Sequence, residues 1–148
     1  MRNWYSGGGA GAAGILGFTE LAGTATSMPA MHGFSYKNGS LHCDNVELSA
    51  LAKEHGTPLY VYSAATITDH FHRLDKALEG VDHEVAYAVK ANSNLSVLRL
   101  LATQGAGFDI VSGGELFRVI KAGGYPAHCT FAGVGKTREE IVYALEQG

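Results

Sequence analysis

The residue best placed to do chemistry is Lys90. It closes the apolar stretch 84–92, EVAYAVKAN. Alternation along a strand puts Ala86, Ala88 and Lys90 on one face and Val85, Tyr87 and Val89 on the other. Both faces are then largely apolar, the pattern of a parallel strand covered on both sides, which presents its chemistry at the carboxyl end. Methyl-sized neighbours leave room for a ligand beside the amine. An apolar wall disfavours the ammonium and so favours the neutral amine that a Schiff-base lysine requires. The plain alternative is a strand-end lysine turned to solvent, as most lysines are.

A second candidate is Asp109, set among Phe108, Ile110 and Val111 in GFDIVSGGEL. A carboxylate in an apolar strand is costly unless paired, so Asp109 is either a satisfied structural group or a functional one. Ser112, Gly113 and Gly114 form a turn between that strand and a helix, where backbone amides could meet an anion. The segment 132–137, AGVGKT, imitates a phosphate-binding loop. The full pattern needs glycine at position 130, where threonine stands, and the loop is short for wrapping phosphates. The seven histidines lack the spacing of metal ligands, so no metal site is expected. His70 fits a solvated helix face and His83 a loop. Cys43 and Cys129 are too far apart in sequence to suggest a disulfide framework or a paired-cysteine metal site, and a reducing cytoplasm is the natural compartment.

Positioning these residues requires alternating strands and helices. Asn38-Gly39 predicts a hairpin over 34–43. Asp44 and Glu47 predict a capping box for a helix over 45–55, stopped by Gly56. A strand at 59–62 leads to a helix over 64–79, N-capped by Ser63, with Ile67, Phe71, Leu74 and Leu78 inward. Next come a strand at 85–89 and a helix over 95–104, with Leu95, Leu98, Leu101 and Ala102 inward. A strand at 108–111 precedes a helix over 115–122 closed by Gly123-Gly124. The last pair is a strand at 129–131 and a helix over 138–147, with Thr137 and Glu140 as its capping box. Such alternation argues for a parallel sheet built of right-handed crossovers. A closed (β/α)8 barrel needs eight strands and typically ~250 residues, so the expected fold class is α/β, the first half of a TIM-type barrel with about four βα units. Half a barrel leaves edge strands and an apolar interior open, so the chain is expected to be aggregation-prone or a piece of a longer product.

At 148 residues the chain can hold one domain with a real core. Its net charge of −3, with both signs interspersed, gives no footprint for nucleic acid. No apolar run approaches the ~20 residues of a membrane helix. Residues 1–33 differ in being rich in glycine and small residues, and are expected to be a flexible extension ahead of the domain at 34–148. Gly9, Gly11 and Gly14 match G-x-G-x-x-G, but no buried strand precedes them, which argues against dinucleotide binding. A processed targeting peptide, or initiation at Met28 or Met31, fits the same segment.

The stretch 87–116, YAVKANSNLSVLRLLATQGAGFDIVSGGEL, closely resembles the pyridoxal-phosphate segment of the diaminopimelate decarboxylases, members of the alanine-racemase-like barrel decarboxylases. The resemblance runs from about Phe34 through HGTPLYVYS at 55–63 to FAGVGKTREEI at 131–141, roughly three quarters of the chain. It implies pyridoxal 5′-phosphate as cofactor and Lys90 as the residue that carries it. It also implies Asp109 as a group orienting the Lys90 amine or the cofactor, and Ala88 as a small residue lining the cofactor site. The implied reaction removes carbon dioxide from meso-2,6-diaminopimelate to give L-lysine, in a cytoplasmic enzyme that is a homodimer at full length. The family's main phosphate site lies on later strands, which implies a structural role for the Ser112-Gly113-Gly114 turn, and the GVGKT segment is the family's own. The acidic partner of the pyridine nitrogen, the glycine-rich phosphate loop, a stacking histidine and a carboxy-terminal cysteine and tyrosine would all lie beyond Gly148. The chain alone is therefore expected to be inactive. Alternatives are another barrel amino-acid decarboxylase, a non-catalytic pyridoxal-phosphate carrier, and a nucleotide-binding loop at 132–137.

Overall fold

Asn38 and Gly39 take positive φ angles of 52° and 83°, the left-handed pair a tight hairpin turn needs. Strand β1 (Phe34–Lys37) accordingly folds back onto β2 (Ser40–Cys43). A third short strand, β3 (Val46–Glu47), pairs with β2 where a helix was expected. Helix α1 therefore starts only at Leu48 and runs to His55, and the expected Asp44–Glu47 capping box does not form. Glu47 stands at the N-cap without a side-chain cap bond. Asp44, at φ 54°, instead accepts a hydrogen bond from Ser63 Oγ at 2.7 Å. A tertiary contact has displaced a local one. Gly56 ends α1 as expected, at φ 81°, its N–H donating to the Ala52 carbonyl.

This computed structural model describes residues 32–148. The G-x-G-x-x-G match, the targeting-peptide reading and Met28 and Met31 all lie outside the described residues. Gly33, assigned by sequence to the extension, is tied into the fold: its N–H donates to Thr66 Oγ1 at 2.7 Å and its carbonyl accepts from the Asp44 N–H at 2.6 Å.

No strand forms over 59–62, and Leu59 and Tyr60 are 39% and 84% exposed. Apolar alternation marks what a sheet would accept, but a strand exists only when a neighbour supplies ladder bonds. Ser63 nonetheless caps α2 (Ala64–Ala77), accepting from the Thr66 N–H at 2.9 Å. Ile67 and Phe71 pack on the core, whereas Leu74 and Leu78, expected inward, stay largely exposed.

The remainder is a parallel sheet in the order β4 (Ala86–Ala88), β5 (Gly107–Ile110), β6 (Cys129–Phe131), interleaved with α3 (Leu95–Thr103), α4 (Gly113–Ala122) and α5 (Arg138–Gln147). The described residues thus pair three parallel strands rather than the expected four. One face of the sheet carries Phe108 and Ile110, which pack with Leu98 of α3 and Leu116 and Val119 of α4 in the buried core. Burying each such side chain contributes about 1.5–3 kcal/mol. The helices form where caps and spacing agree. Asn94 caps α3, which buries Leu98 and Leu101 and leaves Leu95, expected inward, exposed. Ser112 caps α4, which ends at Gly123 with φ 88°. Thr137 and Glu140 close the capping box on α5 as expected. Among the described residues no helix is long and apolar enough to cross a membrane.

Candidate active site

The strand that carries the lysine is shorter than its apolar pattern suggests. After Ala88 the chain winds into a 3-10 turn, Val89–Ala91, so Lys90 sits on a turn at the carboxyl end of β4. Val89 is fully buried and pins the turn to the core, while Lys90 is exposed. No hydrogen bond or ion pair engages its amine among the described residues. The apolar wall expected around that amine is not built here, because the exposed Ala86 and half-buried Ala88 offer only methyl groups.

Register brings Asp109 to the same row. Ala88 pairs with Asp109, and Asp109 with Thr130. Ladder partners share a face, so this row lies opposite the core face carrying Phe108 and Ile110. Asp109 Oδ1 is buried and has no hydrogen-bond partner among the described residues. Among the described residues nothing satisfies that oxygen, and an acceptor left this way costs about 1–3 kcal/mol. Thr130, exposed at the end of the row, was not singled out from sequence. Its signal was available only as its place in the strand matched against Asp109.

The Ser112-Gly113-Gly114 turn is structural. The Gly113 N–H, which an anion at the α4 N-terminus would meet, donates to Glu140 Oε1 at 2.8 Å. The Val111 N–H donates to Glu115 Oε2 at 2.7 Å. The Thr137 N–H, at 2.9 Å, and that of Gly113 both reach the Glu140 carboxylate and hold its pKa below the usual glutamate range. The protein's own carboxylates thus occupy the amides that could have bound an anion. The lysine of the 132–137 loop is likewise engaged. Lys136 Nζ donates to the carbonyls of Ala132, at 3.0 Å, and Gly133, and lies 5.1 Å from the centre of the Phe131 ring. Nothing in that loop favours a nucleotide.

At the opposite end of the sheet, Glu84 and His128 Nδ1 form a short hydrogen bond. A Cβ on Gly107 would lie 2.7 Å from Glu84 Oε1 and 2.8 Å from the His128 carbonyl, so the sheet closes there only around glycine. Burial and, secondarily, the Glu84 charge push the Cys129 thiol up to about 11. His83 sits in a loop as expected, bonded to the Val81 carbonyl at 2.7 Å and to Asp75 at 3.2 Å, and the first of these chiefly raises its pKa. No group of three candidate metal ligands occurs among the described residues.

An unengaged amine, an unpartnered carboxylate oxygen and a methyl-lined surface at one strand end fit a carbonyl cofactor that carries a hydrogen-bond donor. A family model described as "Pyridoxal-dependent decarboxylase, pyridoxal binding domain" matches residues 64–148. The chain is 56% identical over 118 residues to the diaminopimelate decarboxylase of Pseudomonas fluorescens, an alignment covering 80% of this chain and 28% of the relative. Among solved structures it is similar to AQ1208 from Aquifex aeolicus, with a TM-score of 0.73 and 45% identity over 78% of this chain and 28% of that one. It is also similar to the diaminopimelate decarboxylase of M. jannaschii in complex with L-lysine, with a TM-score of 0.70 and 38% identity over 77% of this chain and 28% of that one. The chain thus spans little more than a quarter of the length of these relatives.

Proposed function

We propose, since this chain belongs to the pyridoxal-binding domain family of the pyridoxal-dependent decarboxylases, that Lys90, Ala88 and Asp109 form one wall of a pyridoxal 5′-phosphate site. In the whole protein that site would serve decarboxylation of meso-2,6-diaminopimelate to L-lysine. The observation that carries the proposal is the ladder register that sets Asp109, whose Oδ1 is buried and unpartnered among the described residues, beside Ala88, two residues before the exposed Lys90. When bound, the cofactor supplies an electron-accepting ring for the loss of the α-carboxylate.

Lys90 would hold the cofactor through its amine. Asp109 would orient the Lys90 amine or the cofactor. Ala88, two residues before Lys90 in the chain and opposite Asp109 in the ladder, would keep the wall low enough for a ring to lie against it. The substrate assignment rests on the 56% identity to a diaminopimelate decarboxylase. As the family resemblance implies, the whole enzyme is a cytoplasmic homodimer and this chain by itself does not turn over substrate.

The test is to incubate the purified chain with pyridoxal phosphate, reduce with borohydride, and map the modified lysine by peptide mass spectrometry. Six lysines compete. Preferential labelling of Lys90 is expected; labelling spread by exposure alone would sink the assignment. Lysine release from meso-diaminopimelate by this chain alone would overturn its inactivity.

A further inference from the structure

We propose that Tyr87 is a positioning residue for Lys90, its hydroxyl bracing the 3-10 turn so that the amine is presented in one orientation. The inference rests on Lys90 being the cofactor lysine. Tyr87 lies on the core face of β4 with its ring packed against the buried cluster. Its hydroxyl donates to the Asn92 carbonyl at 3.3 Å. One side chain therefore spans the turn from the strand before it to the residue after it.

The far end of the turn is fixed as well. Asn92 Oδ1 accepts from the Asn94 N–H at 3.0 Å, and Asn94 Oδ1 accepts from the Ser96 N–H at 2.8 Å as the cap of α3. Val89, wholly buried, plugs the turn from beneath. Lys90 is thus an unengaged side chain on a backbone tied down on both sides. A 3-10 turn has weaker internal hydrogen bonds than an α-helix, so an outside brace has more to add here than it would in a regular element. Positioning also matters at this scale, because a displacement of about 1 Å at a reacting group can cost about a hundredfold in rate. Burial raises the phenol pKa, against the Asn92 bond, which lowers it, so the hydroxyl remains a donor at neutral pH.

Tyr87→Phe removes the brace and keeps the ring. In the trapping reaction the lysine amine adds to the cofactor aldehyde carbon and water leaves. Borohydride then delivers hydride to that carbon, solvent supplies the proton on nitrogen, and a stable secondary amine remains. The variant should lower the Lys90 share of label relative to the other five lysines roughly three- to tenfold, the size of one lost hydrogen bond. The absorbance band of the unreduced Lys90 adduct should fall in parallel. Amide exchange in the 89–94 peptide should quicken by a similar factor. Tyr125→Phe, at a phenol that is 68% exposed, should leave all three readouts at the parent values.

An unchanged Lys90 share and band in Tyr87→Phe, with the parent chain selective, overturns the positioning role and leaves the cofactor assignment standing. Indiscriminate labelling of the parent overturns the cofactor assignment and the positioning role with it. Unchanged exchange in 89–94 overturns the brace whatever the labelling shows.

Discussion

Replacing Asp109 with alanine should stabilise the ligand-free chain while weakening its hold on the cofactor. Oδ1 is buried without a partner, a deficit of about 1–3 kcal/mol. The residue as a whole is only half-buried, so water reaches the rest of the carboxylate and the low end of that range applies. Aspartate is also poorly suited to a strand, on a scale that spans about 1 kcal/mol. Some packing is lost with the side chain, which leaves a net gain of about 1 kcal/mol. At a urea slope of about 2 kcal/mol per molar, the unfolding midpoint rises by about 0.5 M. Asp109→Asn keeps a polar atom in the same place, so its midpoint should stay within about 0.5 kcal/mol of the parent. With pyridoxal phosphate at a hundredfold excess over its dissociation constant, the parent gains about 2.7 kcal/mol, and Asp109→Ala should gain distinctly less. The measurement is a pair of urea titrations, with and without cofactor, on the three chains. A lower midpoint for ligand-free Asp109→Ala at unchanged slope would show that the carboxylate is satisfied after all. An equal cofactor shift in parent and variant would remove Asp109 from the site.

Gly107→Ala should destabilise by about 1–3 kcal/mol, because its Cβ meets the His128 backbone carbonyl at 2.8 Å as well as the Glu84 side chain. Adding Glu84→Ala should restore only part of that in chemical denaturation, and full restoration would mean that the carbonyl does not obstruct. The depressed pKa of Glu140 contributes stability that is complete above the ordinary glutamate range and is lost as pH falls through the folded-state value. The parent should therefore lose its advantage over Glu140→Gln on acidification from about pH 6 to about pH 3, and a pH-independent difference between their urea midpoints would contradict this. Cys129, with its thiol pushed up to about 11 from 9.0, should carry roughly a hundredfold less thiolate at neutral pH than in the unfolded chain. Alkylation of its peptide, followed by mass spectrometry, should be slower by that order in the folded chain, and equal rates would refute the burial.

Much of the fold was legible because it follows from local signals. Asn38-Gly39 gave the hairpin, Ser63 and Thr137 the helix starts, and Gly56 and Gly123 two helix ends. The candidate site residues stand out in the same piecemeal way: a lysine at the end of an apolar run and a carboxylate inside another. The 3-10 turn under Lys90 was not, because Val89–Ala91 continues the apolar run and periodicity cannot tell a buried turn residue from a strand residue. Nor was the strand at 59–62, whose absence is decided by pairing and not by its own sequence.

Distant partners decide which polar groups are taken up locally. Asp44, expected as a cap, is held by Ser63, 19 positions away. The amide of Gly113, in a turn expected to be structural, is held by Glu140, 27 positions away. A side-chain cap is worth about 1 kcal/mol, the same order as one net tertiary hydrogen bond, so local pattern cannot decide which of the two forms. No such competing contact reaches the two candidate site residues. Lys90 and Asp109 Oδ1 have no partner among the described residues, so no distant contact has reassigned them. Lys90 shares its lack of a partner with other exposed cations such as Lys53 and Lys76, so the buried Asp109 Oδ1 is the more telling of the two.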